Sequence, residues 1–116
     1  MDARMSMQND VILVVSNAPD LLVAKRIAHE LLEAGLAACV NLGPPMLSMY
    51  RWQGVIEGAE EVPLLIKTTR AQEAALLEML VTLHPYEVPE AVVVPVEGGL
   101  PAYLEWVRAE TGTPLH

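Results

Sequence analysis

Apolar residues change their spacing several times along this chain, and each change marks an element. VILVVS (residues 11–16) is a β-branched run suited to a central strand. NAPD breaks it. From Asp20 the spacing becomes helical: Ala24, Ile27, Ala28 and Leu31 fall on one stripe, and Lys25, His29 and Glu33 on the opposite face. Asp20 is the expected N-cap and Gly35 the residue that ends the helix. His29 is therefore expected at the surface.

LAACVNL (36–42) returns to strand spacing. GPP (43–45) interrupts it without a polar loop, which predicts a bend or bulge rather than a reversal. MLSMYRW (46–52) continues extended to the turn signal Gln53-Gly54, and VIEGAEEVPLLIKTT (55–69) runs back, with Pro63 at an edge or bulged position. One long hairpin results. Alternation puts Met46, Ser48, Tyr50 and Trp52 on one side of it and Leu47, Met49 and Arg51 on the other. Both sides carry apolar residues near the tip, so a neighbouring subunit is expected to cover it.

Thr69 is expected to open the next helix, with Gln72 in capping-box position and Leu76, Leu77, Leu80 and Leu83 as its core stripe. HPYEVP then leads into the strand EAVVVPV, and Pro101 sits in the first turn of a last helix. The order is βαββαβ plus a C-terminal helix. That is an α+β, ferredoxin-like split βαβ fold with an antiparallel sheet and two helices on one face. The domain is expected over residues 10–112, flanked by tails over 1–9 and 113–116. The other sheet face would be bare in a monomer, a second argument for oligomerisation.

Composition sharpens this picture. The 116 residues suit a single domain, 53% of them are hydrophobic and only 19% charged, below the usual ~25%. That excess needs an outlet, and the longest apolar runs are far short of the ~20 residues of a spanning helix. A subunit interface is the expected outlet. The net charge of -8 argues against nucleic acid and anionic membranes as partners. MDARMSMQND has no signal-peptide core, and a lone cysteine, Cys39, permits no internal disulfide. A cytoplasmic protein is expected.

Five motifs stand in one register: LAACVN (36–41), YRWQG (50–54), KTT (67–69), HPYEVPE (84–90) and YLEWV (103–107). In them the chain resembles the CutA family of divalent-cation tolerance proteins, over roughly residues 11 to 111. The resemblance implies a ferredoxin-like homotrimer whose long hairpins extend between subunits, similar to the trimers of PII signalling proteins. It implies no catalysed reaction. Copper-binding bacterial relatives carry a cysteine near the end of the first strand and two adjacent histidines before the Pro-Tyr. Here those positions are Ser16 and Leu83-His84, so only His84 remains of that ligand set. One imidazole does not make a tight site for a transition metal. Cys39 lies in an apolar strand and reads as a small buried hydrophobe.

The residues also offer chemistry other than metal binding. Lys67, Thr68 and Thr69 run from a strand into a helix start, where N–H groups and an ammonium can hold an anion. Glu61 shares strand parity with Lys67, and Tyr50, Trp52, Tyr86, Tyr103 and Trp106 can wall an interfacial pocket. There is no phenylalanine, so every aromatic carries a polar group. The plain alternative is that Lys67 pairs with Glu61 and the aromatics pack a trimer. The QGV of the hairpin tip resembles an acylphosphatase fragment but lies in the wrong loop. No nucleophile triad or metal-hydrolase motif is present. The sequence therefore reads as a non-enzymatic homotrimer in the response to divalent metal ions, with copper or zinc bound weakly and His84 as the candidate ligand. A PII-like trimer holding a small anionic effector and a purely scaffolding trimer are the alternatives.

Overall fold

The computed structural model describes residues 7–115; the first six residues of the expected N-terminal tail, and His116, lie outside them. Among the described residues the order is β1 (Val11–Ala18), α1 (Leu21–Glu33), β2 (Cys39–Leu42), β3 (Met46–Trp52), β4 (Val55–Thr69), α2 (Glu73–Leu83), β5 (Val92–Pro95) and α3 (Pro101–Ala109). The main sheet runs β2-β4-β1-β5, every neighbour antiparallel, and β3 pairs with the outer half of β4. This is the split βαβ order read from the sequence, with one strand prolonged into an arm.

α1 begins and ends where its residue types dictate. The Asp20 carboxylate accepts from the Val23 N–H at 2.8 Å. At the other end Leu36 N–H bonds Leu31 C=O and Gly35 N–H bonds Leu32 C=O, the double closure that a glycine in left-handed conformation allows. Ala24, Ile27, Ala28 and Leu31 are buried as the stripe predicts. Ala24, Ile27 and Leu31 meet Ile12, Val14, Leu64 and Ile66 of the sheet and Leu76 and Leu80 of α2 in one core. α2 departs from the sequence reading. A short 3₁₀ turn, Arg70–Gln72, precedes it, and Thr69 makes no side-chain capping bond. Gln72, the residue before α2, makes none either, so the expected capping box is not formed.

The interruption at residues 43–45 is a bulge. Leu42 pairs with Leu64 and Met46 with Glu61, so three residues on one strand face two on the other. The Gly43 N–H bonds the Pro63 carbonyl at 3.1 Å, and a Cβ on Gly43 would sit 2.7 Å from the Pro63 ring. Pro63 thus occupies a bulged position inside a central strand. The extra residue switches parity. Cys39 and Asn41 of β2 share the face away from α1 and α2 with Leu65 and Lys67, and beyond the bulge the even residues Met46, Ser48, Tyr50 and Trp52 continue it. The arm closes at Gln53 (φ 49) and Gly54 (φ 82), the two positive φ values of a tight primed turn.

The arm leaves the body. The radius of gyration is 15.1 Å, against about 13 Å for a compact chain of this length. Leu47, Met49 and Ile56 on one side and Trp52 and Val55 on the other are all more than half exposed. On the body, α3 lies against β4 and β1 with Val107 fully buried, but Leu65, Val92 and Val94 of the open sheet face stay in solvent. No helix among the described residues is long and apolar enough to cross a membrane.

Candidate functional site

The site grows from the end of β1. Chain continuation of β5 would pair with Asn17, but β5 begins at Val92, opposite Val15. The Asn17 carbonyl therefore lacks a strand partner on that side. His84 supplies one, its Nε2–H donating to Asn17 O over 2.6 Å. The position of His84 follows from its neighbour: a residue before proline is driven out of helical geometry, so α2 stops at Leu83 and His84 turns extended (ψ 136) ahead of Pro85. Its other nitrogen, Nδ1, accepts the Tyr86 N–H at 3.1 Å. One nitrogen must donate and the other accept, which fixes a neutral tautomer. His84 is buried, and both ring nitrogens are committed to protein partners. It has no lone pair left for a metal in this arrangement.

The same loop places Tyr86. Its ring lies 4.6 Å from the His84 ring, and its hydroxyl donates to Glu61 Oε2 at 3.0 Å. Burial, then the hydrogen bond to Glu61 and that carboxylate's charge, push the Tyr86 hydroxyl up to about 12. Nearby, Ser16 Oγ donates to Glu90 O at 2.7 Å and Asn17 Nδ2 to Glu90 Oε1 at 2.8 Å. Asn17 Oδ1 is buried with no donor among the described residues. Ser16 is fully buried and already bonded.

Between this loop and the arm lies a concavity of about 1030 Å³ on the sheet face away from α1 and α2. Tyr50, Trp52 and Tyr86 wall it, and Glu57, Glu61, Glu87 and Glu90 supply its charge. No lysine, arginine or histidine among the described residues lines it. Of the residues anticipated for an interfacial pocket, Glu61, Tyr50, Trp52 and Tyr86 meet here, and the others do not. Lys67 shares the face with Glu61 but stands six residues along β4, roughly 20 Å away. Its ammonium donates to Asn41 Oδ1 instead. Thr68 points to the core face, fully buried, and donates to Leu36 O at 2.7 Å. Tyr103 and Trp106 sit on α3, 5.7 Å apart, with Tyr103 beside the half-buried Cys39. Burial and then Cys39 raise the Tyr103 hydroxyl.

Sequence reading did not single out Glu57, Glu87, Glu90 or Asn17 for this site. Strand parity with Glu61 points to Glu57. Glu87 and Glu90 reach the concavity only through the path of the 84–90 loop, and Asn17 through its register opposite Pro63 at the end of β1. Elsewhere, His29, Glu30 and Glu33 form the one group of three metal-type ligands among the described residues with ligand atoms within 4.8 Å of one another. His29 and Glu33 are exposed and 3.5 Å apart at i,i+4 spacing on α1.

These features define a ferredoxin-like domain with a projecting arm and an acidic, aromatic-walled concavity at the arm's root. The chain belongs to the CutA1 divalent ion tolerance protein family, which it matches over residues 12–110. The divalent-cation tolerance protein CutA of Pectobacterium atrosepticum is 45% identical over 100 residues, 86% of this chain and 91% of that protein. Protein CutA of Mus musculus is 48% identical over 93 residues, 80% of this chain but 52% of that longer protein. The crystal structure of CutA from Xylella fastidiosa has a TM-score of 0.87 at 47% identity, covering 89% of this chain and 99% of that one.

Proposed function

We propose that this chain acts as a cytoplasmic, non-enzymatic homotrimer of the CutA type in the response to divalent metal ions, copper among them. Family membership over residues 12–110 carries the reading. The part of the sheet face that α3 leaves open and an arm that is apolar on both sides support self-association, because monomers rarely leave such continuous patches in water. Metal binding in this reading is weak. The donor set that fits an ion is His29, Glu30 and Glu33, one imidazole and two carboxylates at the surface. His84 acts instead as the structural partner of Asn17 and Tyr86.

A small anion is a poor match for the concavity, since four glutamates line it and the nearby Lys67 ammonium is taken up by Asn41. Calorimetric titration with Cu²⁺ and Zn²⁺ tests the metal part. Weak binding is expected in the wild type and in His84→Ala, and its loss in His29→Ala. No heat from the wild type, or loss only in His84→Ala, would overturn it.

A further inference from the structure

α3 is a short helix with few anchors. Its nine residues fall below the ~12–15 at which an isolated helix becomes even marginally stable in water. Val107 is its one fully buried residue, and Arg108 Nε donates to Asn9 O at 2.7 Å. This helix nonetheless covers part of the sheet face away from α1 and α2, lying against β4 and β1. Further support has to come from the chain that follows it.

Residues 111–115 leave α3 and cross to the end of α1, on the other side of the sheet. The Thr111 hydroxyl closes α3, donating to Val107 O at 3.1 Å. The Gly112 N–H then bonds Gly35 O, and the Leu115 N–H bonds Glu33 O, each at 2.7 Å. An α-helix leaves its last four carbonyls open. In α1 those of Glu30, Leu31 and Leu32 are taken by the N–H groups of Ala34, Leu36 and Gly35, and Leu115 takes the fourth. Between its two bonds the segment passes so close that a Cβ on Gly35 would stand 2.5 Å from the Thr113 carbonyl oxygen. Backbone groups make this seat; the Leu115 side chain is 68% exposed.

We infer that residues 112–115 are a strap, whose backbone bonds to the end of α1 hold α3 on the opposite face of the sheet. Seated, the strap fixes how much of that face α3 covers. Unseated, it leaves α3 to Val107 and Arg108, and the helix lifts and frays. Its contacts lie within one chain, and none of these residues lines the concavity, so the strap does not depend on how copies of the chain assemble. Amide hydrogen exchange of the full chain, read residue by residue by NMR, is the test. Leu115→Pro removes the N–H that bonds Glu33 O and disturbs no buried side chain. It should speed exchange of the α3 amides of residues 104–110 about three- to tenfold, the weight of one hydrogen bond. Leu115→Ala keeps the N–H and should match the wild type. Gly35→Ala, whose Cβ meets Thr113, should speed the same amides at least as much as Leu115→Pro. Unchanged exchange over α3 in Leu115→Pro would overturn the strap, whatever Gly35→Ala does. So would acceleration confined to the last turn of α1, which would make the segment a cap for α1 alone. Equal acceleration in Leu115→Ala would overturn it too, because that variant leaves both backbone bonds in place.

Discussion

The Tyr86 hydroxyl reaches Glu61 across 3.0 Å and ties the loop after α2 to the root of the arm. The two residues are 25 apart in sequence, and Glu61 is nearly buried. Tyr86→Phe keeps the ring and removes the donor, leaving the carboxylate without its one partner among the described residues. A loss of about 1–2 kcal/mol is expected in chemical denaturation. Retention of full stability would show that solvent already serves Glu61.

Burial of the Tyr86 hydroxyl, and then this bond, set an alkaline limit. Tyr86 is raised from an ordinary 10.0 to about 12, so the folded chain holds this proton more tightly than the unfolded chain. Its contribution to stability is complete below pH 10 and is lost as pH rises through about 12. Absorbance titration should show a tyrosine ionising near 12 in the wild type that is missing from Tyr86→Phe. The same titration curve in both proteins would refute the assignment.

His84 is expected to matter for folding. His84→Ala leaves the Asn17 carbonyl and the Tyr86 amide without partners in a buried place. A destabilisation of about 2–4 kcal/mol should appear in thermal or denaturant unfolding. A change below about 0.5 kcal/mol, the size of an ordinary surface substitution, would contradict this role.

Gly43 should tolerate no side chain. The Cβ of Gly43→Ala would press within 2.7 Å of the Pro63 ring, at the bulge that sets the parity of the arm. Overpacking of this kind costs about 1–3 kcal/mol. The melting temperature checks it, and an unchanged value would mean that the bulge relaxes freely.

Much of this was legible in the sequence, and the reasons for the rest are physical. Alternation is local, so the two sides of the arm, the Gln53-Gly54 turn and the bulge at 43–45 could all be read. The stripe of α1 and its Asp20 cap are equally local. Parity also places Glu61 and Lys67 on one face, but it says nothing about distance along a 15-residue strand. Adjacent strand residues face opposite ways, and so Thr68 went into the core while Lys67 stayed outside. The partner of His84 is 67 residues away and depends on where β5 begins, which no pattern near His84 encodes. Glu87 and Glu90 reach the concavity through a loop path set by tertiary contacts, not by periodicity.

Self-association can be broken on the arm without touching the core. Leu47 is 68% exposed and lies on the side of the arm away from the concavity. Leu47→Lys should leave the circular dichroism of the chain intact and lower its assembly state, because an ammonium would be desolvated in an apolar contact. Unchanged assembly would remove that side of the arm from the interface.

Sedimentation equilibrium of the wild-type chain tests the assembled CutA-type protein most directly. A mass of about 38 kDa, three times 12.6 kDa, is expected across the micromolar range. A stable 12.6 kDa species would contradict it, and with it the role assigned to the open sheet face and the arm.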